Sequence, residues 1–233
     1  MKWFFIVGFV GVPCGFIFRF AIKPEFLPWA HSVARPCFSI GWSALISGSV
    51  MLWGSKAGKL HLRDKIISSI SWRGDEMVLD VGCGHGLMLI GAAKRLTSGK
   101  AVGIDLWQKE DQSDNSREST LKNVRLENVA ERVELLDGDA RKLPFADNSF
   151  DVVLSSWALH NIYDRAERDG AVREIVRVLK PGGRLIIADI RHTGQYAKVL
   201  QQSRMLNIQR GWPNFLFVTP TFTLTAIRPN SSG

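Results

Sequence analysis

Cysteine is scarce in this chain. It has three, Cys14, Cys37 and Cys83, two inside apolar runs and one in a glycine loop, so neither a disulfide framework nor a zinc-ligand spacing can be built. That usage fits a reducing compartment. No metal-ligating cluster is visible, and no internal repeat or low-complexity linker appears; 233 residues are too few for a multidomain machine. Acidic side chains are almost missing at the start: residues 1–60 hold only Glu25, against Lys2, Arg19, Lys23, Arg35, Lys56 and Lys59. The first quarter thus supplies +5 of the formal charge of +8, together with eight of the 13 Phe and four of the eight Trp. Basicity and aromatic excess belong to a hydrophobic N-terminal part, which removes them as an argument for a nucleic-acid partner.

Trp3 to Phe18 is uncharged, and so is Pro36 to Ser55. Each run approaches the ~20 residues that cross a bilayer core. No small-x-small cleavage site follows Phe18, so the first run reads as retained rather than as a signal peptide. Two readings compete: a membrane hairpin, spanning or lying in one leaflet, and a pair of buried core helices. Trp3, Trp29 and Trp53 near the segment ends and the flanking Lys/Arg favour the membrane. Small residues at Gly11/Gly15 and Ser39/Ser43/Ser47 would let helices approach closely, within one chain or between two copies in a homo-oligomer. The basic loop from Arg19 to Arg35 conflicts with the positive-inside rule, whereas Lys56, Lys59, Arg63 and Lys65 fit a cytoplasmic location for the remainder of the chain. The expected division is 1–55, a membrane-anchoring helical hairpin, and 56–233, a second domain.

From Lys56 to Trp72, Leu62, Ile66 and Ile70 recur at helical spacing. Beyond Gly74 short β-rich runs alternate with helical stretches: Met77–Val81, Ala101–Ile104, Val133–Leu136, Val152–Ser155 and Arg184–Asp189 as strands, with helices near 87–96, 119–127, 165–179 and 195–205. Phe215–Val218 and Phe222–Ile227, three residues apart around Pro220, read as an antiparallel edge hairpin. The expectation is an α/β, doubly wound, mostly parallel seven-stranded sheet, Rossmann-like.

The strongest local signal is Val78-Leu79-Asp80-Val81-Gly82-Cys83-Gly84-His85-Gly86, a strand entering a glycine loop before a helix. A dinucleotide fingerprint would place its third glycine at Leu87, which weakens a pyrophosphate reading. Asp105 ends the second strand in Val102-Gly103-Ile104-Asp105, Asp139 lies in Leu135-Leu136-Asp137-Gly138-Asp139-Ala140, and Phe150-Asp151-Val152-Val153-Leu154-Ser155-Ser156 and Val178-Leu179-Lys180-Pro181-Gly182-Gly183 follow in order. With Asp80 ahead of the glycines, this series resembles the motifs of class I S-adenosylmethionine-dependent methyltransferases over most of residues 74–190. The surroundings of Leu143-Pro144-Phe145 are most similar to the small-molecule branch containing ubiquinone/menaquinone methyltransferases.

The resemblance implies that Asp80 and the loop Gly82-Cys83-Gly84-His85-Gly86 admit the methionine part of S-adenosylmethionine. Asp105, with Leu106 beside it, would take the ribose, Asp139 and the Ala140 amide the adenine, and Ser156 would close the site. His85, where the family commonly has Thr or Ser, would cap the helix or touch the cofactor carboxylate. His160 is the candidate base, in the loop facing the methyl group, and Asn161 and Tyr163 would orient the acceptor. The polar stretch from Gln108 to Thr120, including Glu110, Asp111, Gln112 and Ser113, would be a lid or a solvated loop. The cysteine set does not suit an arsenite enzyme, and no Asn-Pro-Pro-Tyr-like motif points to amino-group methylation of DNA bases or glutamine.

The implied activity is methyl transfer to a small acceptor, with S-adenosylhomocysteine as product, no metal and no nucleic acid. The acceptor is hydrophobic and reached from membrane lipid in one reading, and a soluble amine, thiol or phenol in another. A non-catalytic cofactor-binding scaffold is the third reading, and a nicotinamide oxidoreductase a distant fourth. Because the cofactor is kept in the cytosol, the enzyme domain is expected on the cytoplasmic side.

Overall fold

The computed structural model describes residues 2–23, 25–108, 115–215 and 219–230, with no side-chain description at 55 and 56. The described chain divides into two units, one ending at Lys59 and the other comprising Leu60–Phe215 and the residues from Thr219 onward.

The first unit is a helical hairpin. Helix α1, Lys2–Phe16, runs on through a wider turn at Ile17–Ala21, where the Ile22 amide reaches back five residues to the Ile17 carbonyl. Helix α2 covers Ala30–Trp53. The two meet through glycine: a Cβ on Gly11 would stand 3.1 Å from the Gly41 Cα, and one on Gly41 would stand 2.7 Å from the Val12 amide nitrogen. Helix α2 turns Ala30, Ala34, Gly41, Ala44 and Gly48 inward. Ser43 and Ser47 are exposed, so the expected serine stripe is not the contact face; alanine and glycine allow the same approach with no hydroxyl to satisfy. Large side chains point outward, with Trp3, Phe9 and Phe20 among the most exposed. This inverts the pattern of a soluble helix pair, which buries its large apolar groups. Both segments are long and apolar enough to cross a membrane, Lys2–Ala21 at mean hydropathy 2.0 and Ala30–Trp53 at 1.2.

The second unit begins on helix α3, Lys59–Ser68, whose Leu62, Ile66 and Ile67 are buried. Seven strands follow: β1 Met77–Val81, β2 Lys100–Asp105, β3 Val133–Asp137, β4 Phe150–Ser156, β5 Leu179–Asp189, β6 Leu206–Arg210 and β7 Phe222–Ile227. Helices α4 Leu87–Ala93, α5 Arg117–Leu126, α6 Arg165–Val178 and α7 Thr193–Gln202 are interleaved. The sheet order is β3-β2-β1-β4-β5-β7-β6, parallel from β3 to β5 and antiparallel where β7 meets β5 and β6. Strand residues point alternately to two cores. Leu79, Val153, Leu185 and Leu224 pack with α6 and α7, while Val78, Val152, Leu154 and Ile186 pack with α3 and α4. Burial on both faces explains why β1, β4 and β5 read as continuous apolar runs.

One element differs from the sequence expectation. The partner of Phe222–Ile227 is Leu206–Arg210, and Phe215 lies outside any strand, with residues 216–218 outside the described set. Leu206-Asn207-Ile208-Gln209-Arg210 alternates apolar and polar as an edge strand does, but it follows α7 after only a short turn through Arg204 at φ +57° and merges with the helical pattern.

Candidate functional site

Chain order puts the ends of β1, β2 and β4 side by side, and the crevice beyond the carboxyl ends of such strands is where this topology holds ligands. At the end of β1 the backbone turns through Gly82 at φ +71°, Gly84 at +48° and Gly86 at +83°. The amides of Gly82 and Cys83 both donate to the Ile104 carbonyl, at 2.8 and 3.2 Å, drawing the loop toward β2. A Cβ on Gly82 would collide with the Ala158 Cβ from the loop after β4, so glycine is required for two loops to share this space.

Beneath the loop Asp80 is 1% exposed. Its Oδ2 accepts the Leu89 amide at 2.9 Å, and its Oδ1 is buried without a partner. Burial first, then the charge of Asp105, pushes its carboxyl up to about 7 against the opposing Leu89 hydrogen bond. At the end of β2, Asp105 Oδ2 accepts the Gly84 amide at 2.8 Å, and Oδ1 accepts the Trp107 amide at 2.7 Å and Asn115 Nδ2 at 3.4 Å. Asp105 therefore fixes both the glycine loop and the chain leaving β2. Asp139 is held by Arg141, whose Nε lies 2.8 Å from Oδ2, and Arg141 also reaches Glu167 Oε2 at 2.6 Å. The guanidinium keeps the Asp139 carboxyl below its usual range.

Asp105 and Asp139, but not Asp80, line a pocket of about 370 Å³ whose wall also includes Gly82, Gly84, Leu106, Gln108, Asn115, Ala140, Trp157, Asn161 and Tyr163. Among the described residues its charged lining is Asp105, Asp139, Asp164 and Glu167 against Arg141. An acidic lining draws a cation and repels a pyrophosphate, which counts against a dinucleotide.

Several expected site residues stand off this wall. Cys83 is buried, with its Sγ against Gly103, and burial raises its thiol well above the ordinary value, so it is no nucleophile. Gly86, rather than His85, caps α4; the His85 carbonyl accepts Asn123 Nδ2 at 3.0 Å. Ser156 ends β4 behind Trp157. Gln108 and Asn115 of the expected polar lid line the pocket, whereas Glu110, Asp111, Gln112 and Ser113 lie outside the described residues.

On the β4 side, His160 sits on a short turn, Leu159–Asn161, between wall residues. Its amide donates to Asp189 Oδ2 at 3.1 Å, and its Nδ1 stands 2.6 Å from Asp189 Oδ1, close but off hydrogen-bond alignment. Asp189, 1% exposed at the end of β5, also accepts the Tyr196 hydroxyl at 3.2 Å. Arg168, buried under the loop, donates to the carbonyls of Ile162 at 2.6 Å and Tyr163 at 3.3 Å. Tyr163 itself is 96% exposed at the rim. Three participants escaped the sequence reading: Arg141, two positions past an acid; Glu167, at the third position after the Asp164 cap of α6; and Asp189, 29 residues from the histidine it holds.

A family described as "Methyltransferase domain" matches residues 79–187. A demethylmenaquinone methyltransferase of Lactobacillus johnsonii is 32% identical over 164 residues, 69% of this chain and 58% of the relative. The chloroplastic 2-phytyl-1,4-beta-naphthoquinone methyltransferase of Arabidopsis thaliana is 32% identical over 143 residues, 60% of this chain and 52% of the relative. The chain thus spans little more than half the length of these relatives. In fold, a SAM-dependent methyltransferase from Aquifex aeolicus superposes with a TM-score of 0.54 at 20% identity, over 71% of this chain and 88% of the other.

Proposed function

We propose that the protein, whose residues 79–187 match a family described as a methyltransferase domain, is a class I S-adenosylmethionine-dependent methyltransferase that methylates a small, apolar, quinone-type acceptor reached from a membrane. The observation that carries the methyl-transfer part is the acidic pocket over the Gly82–Gly86 loop. The acceptor class is supported by the two quinone-methylating relatives and by the hairpin of exposed apolar helices in the same chain.

The residues present suit a cationic cofactor. The unpartnered Oδ1 of Asp80 is a buried anionic site beside the loop, suited to an ammonium, and the glycine cradle is space that a Cβ would fill. Asp105 would hold the ribose hydroxyls, with Leu106 against it, and Asp139 and Ala140 would line the adenine end. S-adenosylmethionine supplies a methyl group on a sulfonium and leaves as neutral S-adenosylhomocysteine, so no side chain has to protonate a leaving group.

The remaining work falls to the chain. The loops after β1 and β4 close on each other at Gly82 and Ala158 and shed water, and the rigid strand ends fix the line of attack. A phenol or hydroquinone acceptor must give up a proton as it attacks. His160, with Nδ1 turned to Asp189, leaves Nε2 to receive that proton, and Tyr163 and Asn161 stand at the mouth to orient the acceptor. The hairpin would keep the enzyme at the membrane, with the catalytic unit on the cytoplasmic side.

The test incubates the full chain in lipid nanodiscs with isotope-labelled S-adenosylmethionine and a membrane lipid extract, followed by mass spectrometry of both phases. The expected product is a methylated quinone or hydroquinone in the lipid phase. Label appearing only in a polar metabolite would overturn the acceptor assignment, and absence of cofactor binding by calorimetry would overturn the enzyme reading.

A further inference from the structure

The carboxyl edge of the sheet carries a second surface that methyl transfer does not use. Strand β7 runs antiparallel to β5 with Phe222 opposite Asp189, so the segment joining β6 to β7 emerges at the same edge as the pocket. The indole of pocket-lining Trp157 donates to Thr221 Oγ1 at 3.0 Å, fastening the far end of that segment beside the pocket. Asn214 and Thr221 exchange backbone hydrogen bonds of 2.8 and 3.0 Å, so these two positions before β7 are held together. On the same segment Trp212 is 93% exposed and Phe215 71%.

Charge supplies an independent observation. From Arg191 to the end of the chain there is no Asp or Glu, against five Lys and Arg. Arg191 and Arg210 stand at this same edge: Arg210 Nε donates to Thr193 Oγ1 at 2.9 Å, and its guanidinium lies 4.0 Å over the Phe222 ring. Exposed indole and phenyl rings beside cations that have no ion pair among the described residues suit the headgroup layer of an anionic bilayer, where rings sit at the interface and each guanidinium meets phosphate.

We propose that Trp212, Phe215, Arg191 and Arg210 form a contact surface for anionic phospholipid, seating the carboxyl edge of the sheet on the headgroup layer. A protein partner fits less well, since stable protein interfaces bury upward of about 1,200 Å² around a packed core, and among the described residues between β6 and β7 the large exposed apolar side chains are Trp212 and Phe215. The surface does not depend on which acceptor is methylated, so it stands or falls separately from the reaction.

The full chain is placed in phosphatidylcholine–phosphatidylglycerol nanodiscs whose acyl chains carry bromine at shallow positions, and its tryptophan emission is compared with that of Trp212→Phe. The conservative variant removes one reporter, and S-adenosylmethionine affinity checks its fold. The expected difference spectrum, which belongs to Trp212, is blue-shifted and loses more than half its intensity to bromine; Arg191→Gln with Arg210→Gln, or removal of phosphatidylglycerol, restores most of it. A red-shifted, unquenched difference spectrum places Trp212 in water and overturns the proposal. A blue-shifted but unquenched one means that protein covers the ring, and overturns it equally.

Discussion

Asp80→Asn isolates the buried carboxyl beneath the glycine loop. The carboxyl is 1% exposed, and burial raises it from 3.8 to about 7. A shift of roughly three pH units corresponds to about 4 kcal/mol against the ionised form. Because the folded value lies above the unfolded one, the contribution to stability is fully present below about pH 4, is lost as pH rises to about 7, and is constant beyond. Asparagine keeps an oxygen for the Leu89 amide but puts a buried amide group where Oδ1 now has no partner, a cost of about 1–3 kcal/mol at every pH. Without cofactor the variant should therefore be less stable than the parent near pH 4–5 and more stable, by about 1–3 kcal/mol, above pH 7. For a unit of this size each kcal/mol moves Tm by about 2–4 °C. Thermal unfolding of the full chain in detergent, scanned across this pH range with no S-adenosylmethionine, reads the crossing directly. Added cofactor should reverse the order above pH 7, since only the carboxylate can pair with an ammonium. Two stability curves that run parallel from acid to alkaline pH would refute the reasoning.

Asp105→Ala should abolish measurable S-adenosylmethionine binding in calorimetry. It should also lower stability by about 2–3 kcal/mol, because the part-buried Gly84 and Trp107 amides lose a charged acceptor. Gly82→Ala should block the pocket and destabilise by at least about 2 kcal/mol in denaturant unfolding, from the Ala158 clash and the unfavourable φ of +71°. His160→Ala should leave cofactor affinity intact while cutting kcat by about 100-fold or more. Asp189→Asn should do the same more mildly and displace the pH profile of kcat, and an unmoved profile would make the pair purely structural. Arg141→Ala should change stability by less than about 1 kcal/mol, since Arg141 and Glu167 are both largely exposed.

Much of the catalytic unit is legible in the sequence because backbone geometry and chain order dictate it. Only glycine lets the β1 loop pass under Ala158, and β-rich runs alternating with helical ones leave few ways to build a parallel sheet. What escapes is whatever the fold alone brings together. Asp189 meets His160 only once β4 and β5 pair, and Arg141 claims Asp139 through a long side chain that local pattern does not orient. Trp107 and Trp157, at φ +56° and +53°, take conformations their residue type argues against; Trp107 sits two residues past β2 and Trp157 directly past β4, tied through their indoles to Asp137 and Thr221 respectively. Edge strand β6 is lost for the opposite reason: with one neighbour and mostly exposed side chains, it carries too little apolar signal to stand apart from α7.

The distribution of charge around the sheet favours one arrangement of ligands over its reverse. Among the described residues four carboxylates against one guanidinium line the pocket between β1, β2 and β4, whereas the edge beyond β5 has Arg191 and Arg210 and the sequence no acid after Asp189. A cationic cofactor arriving from water is drawn to the first region and repelled by the second; an anionic lipid surface does the opposite. In the proposed reaction the acceptor would enter over Tyr163 and the β4 loop, between an acidic pocket and a basic, aromatic rim. A quinone head, uncharged and planar, meets little resistance in passing between them, whereas a charged amine would be held by the carboxylates and a phosphate ester by the arginines. The same separation predicts salt dependence of opposite origin for the two ligands. Raising ionic strength should weaken both cofactor binding and headgroup contact, yet leave the intrinsic affinity for a neutral acceptor nearly unchanged.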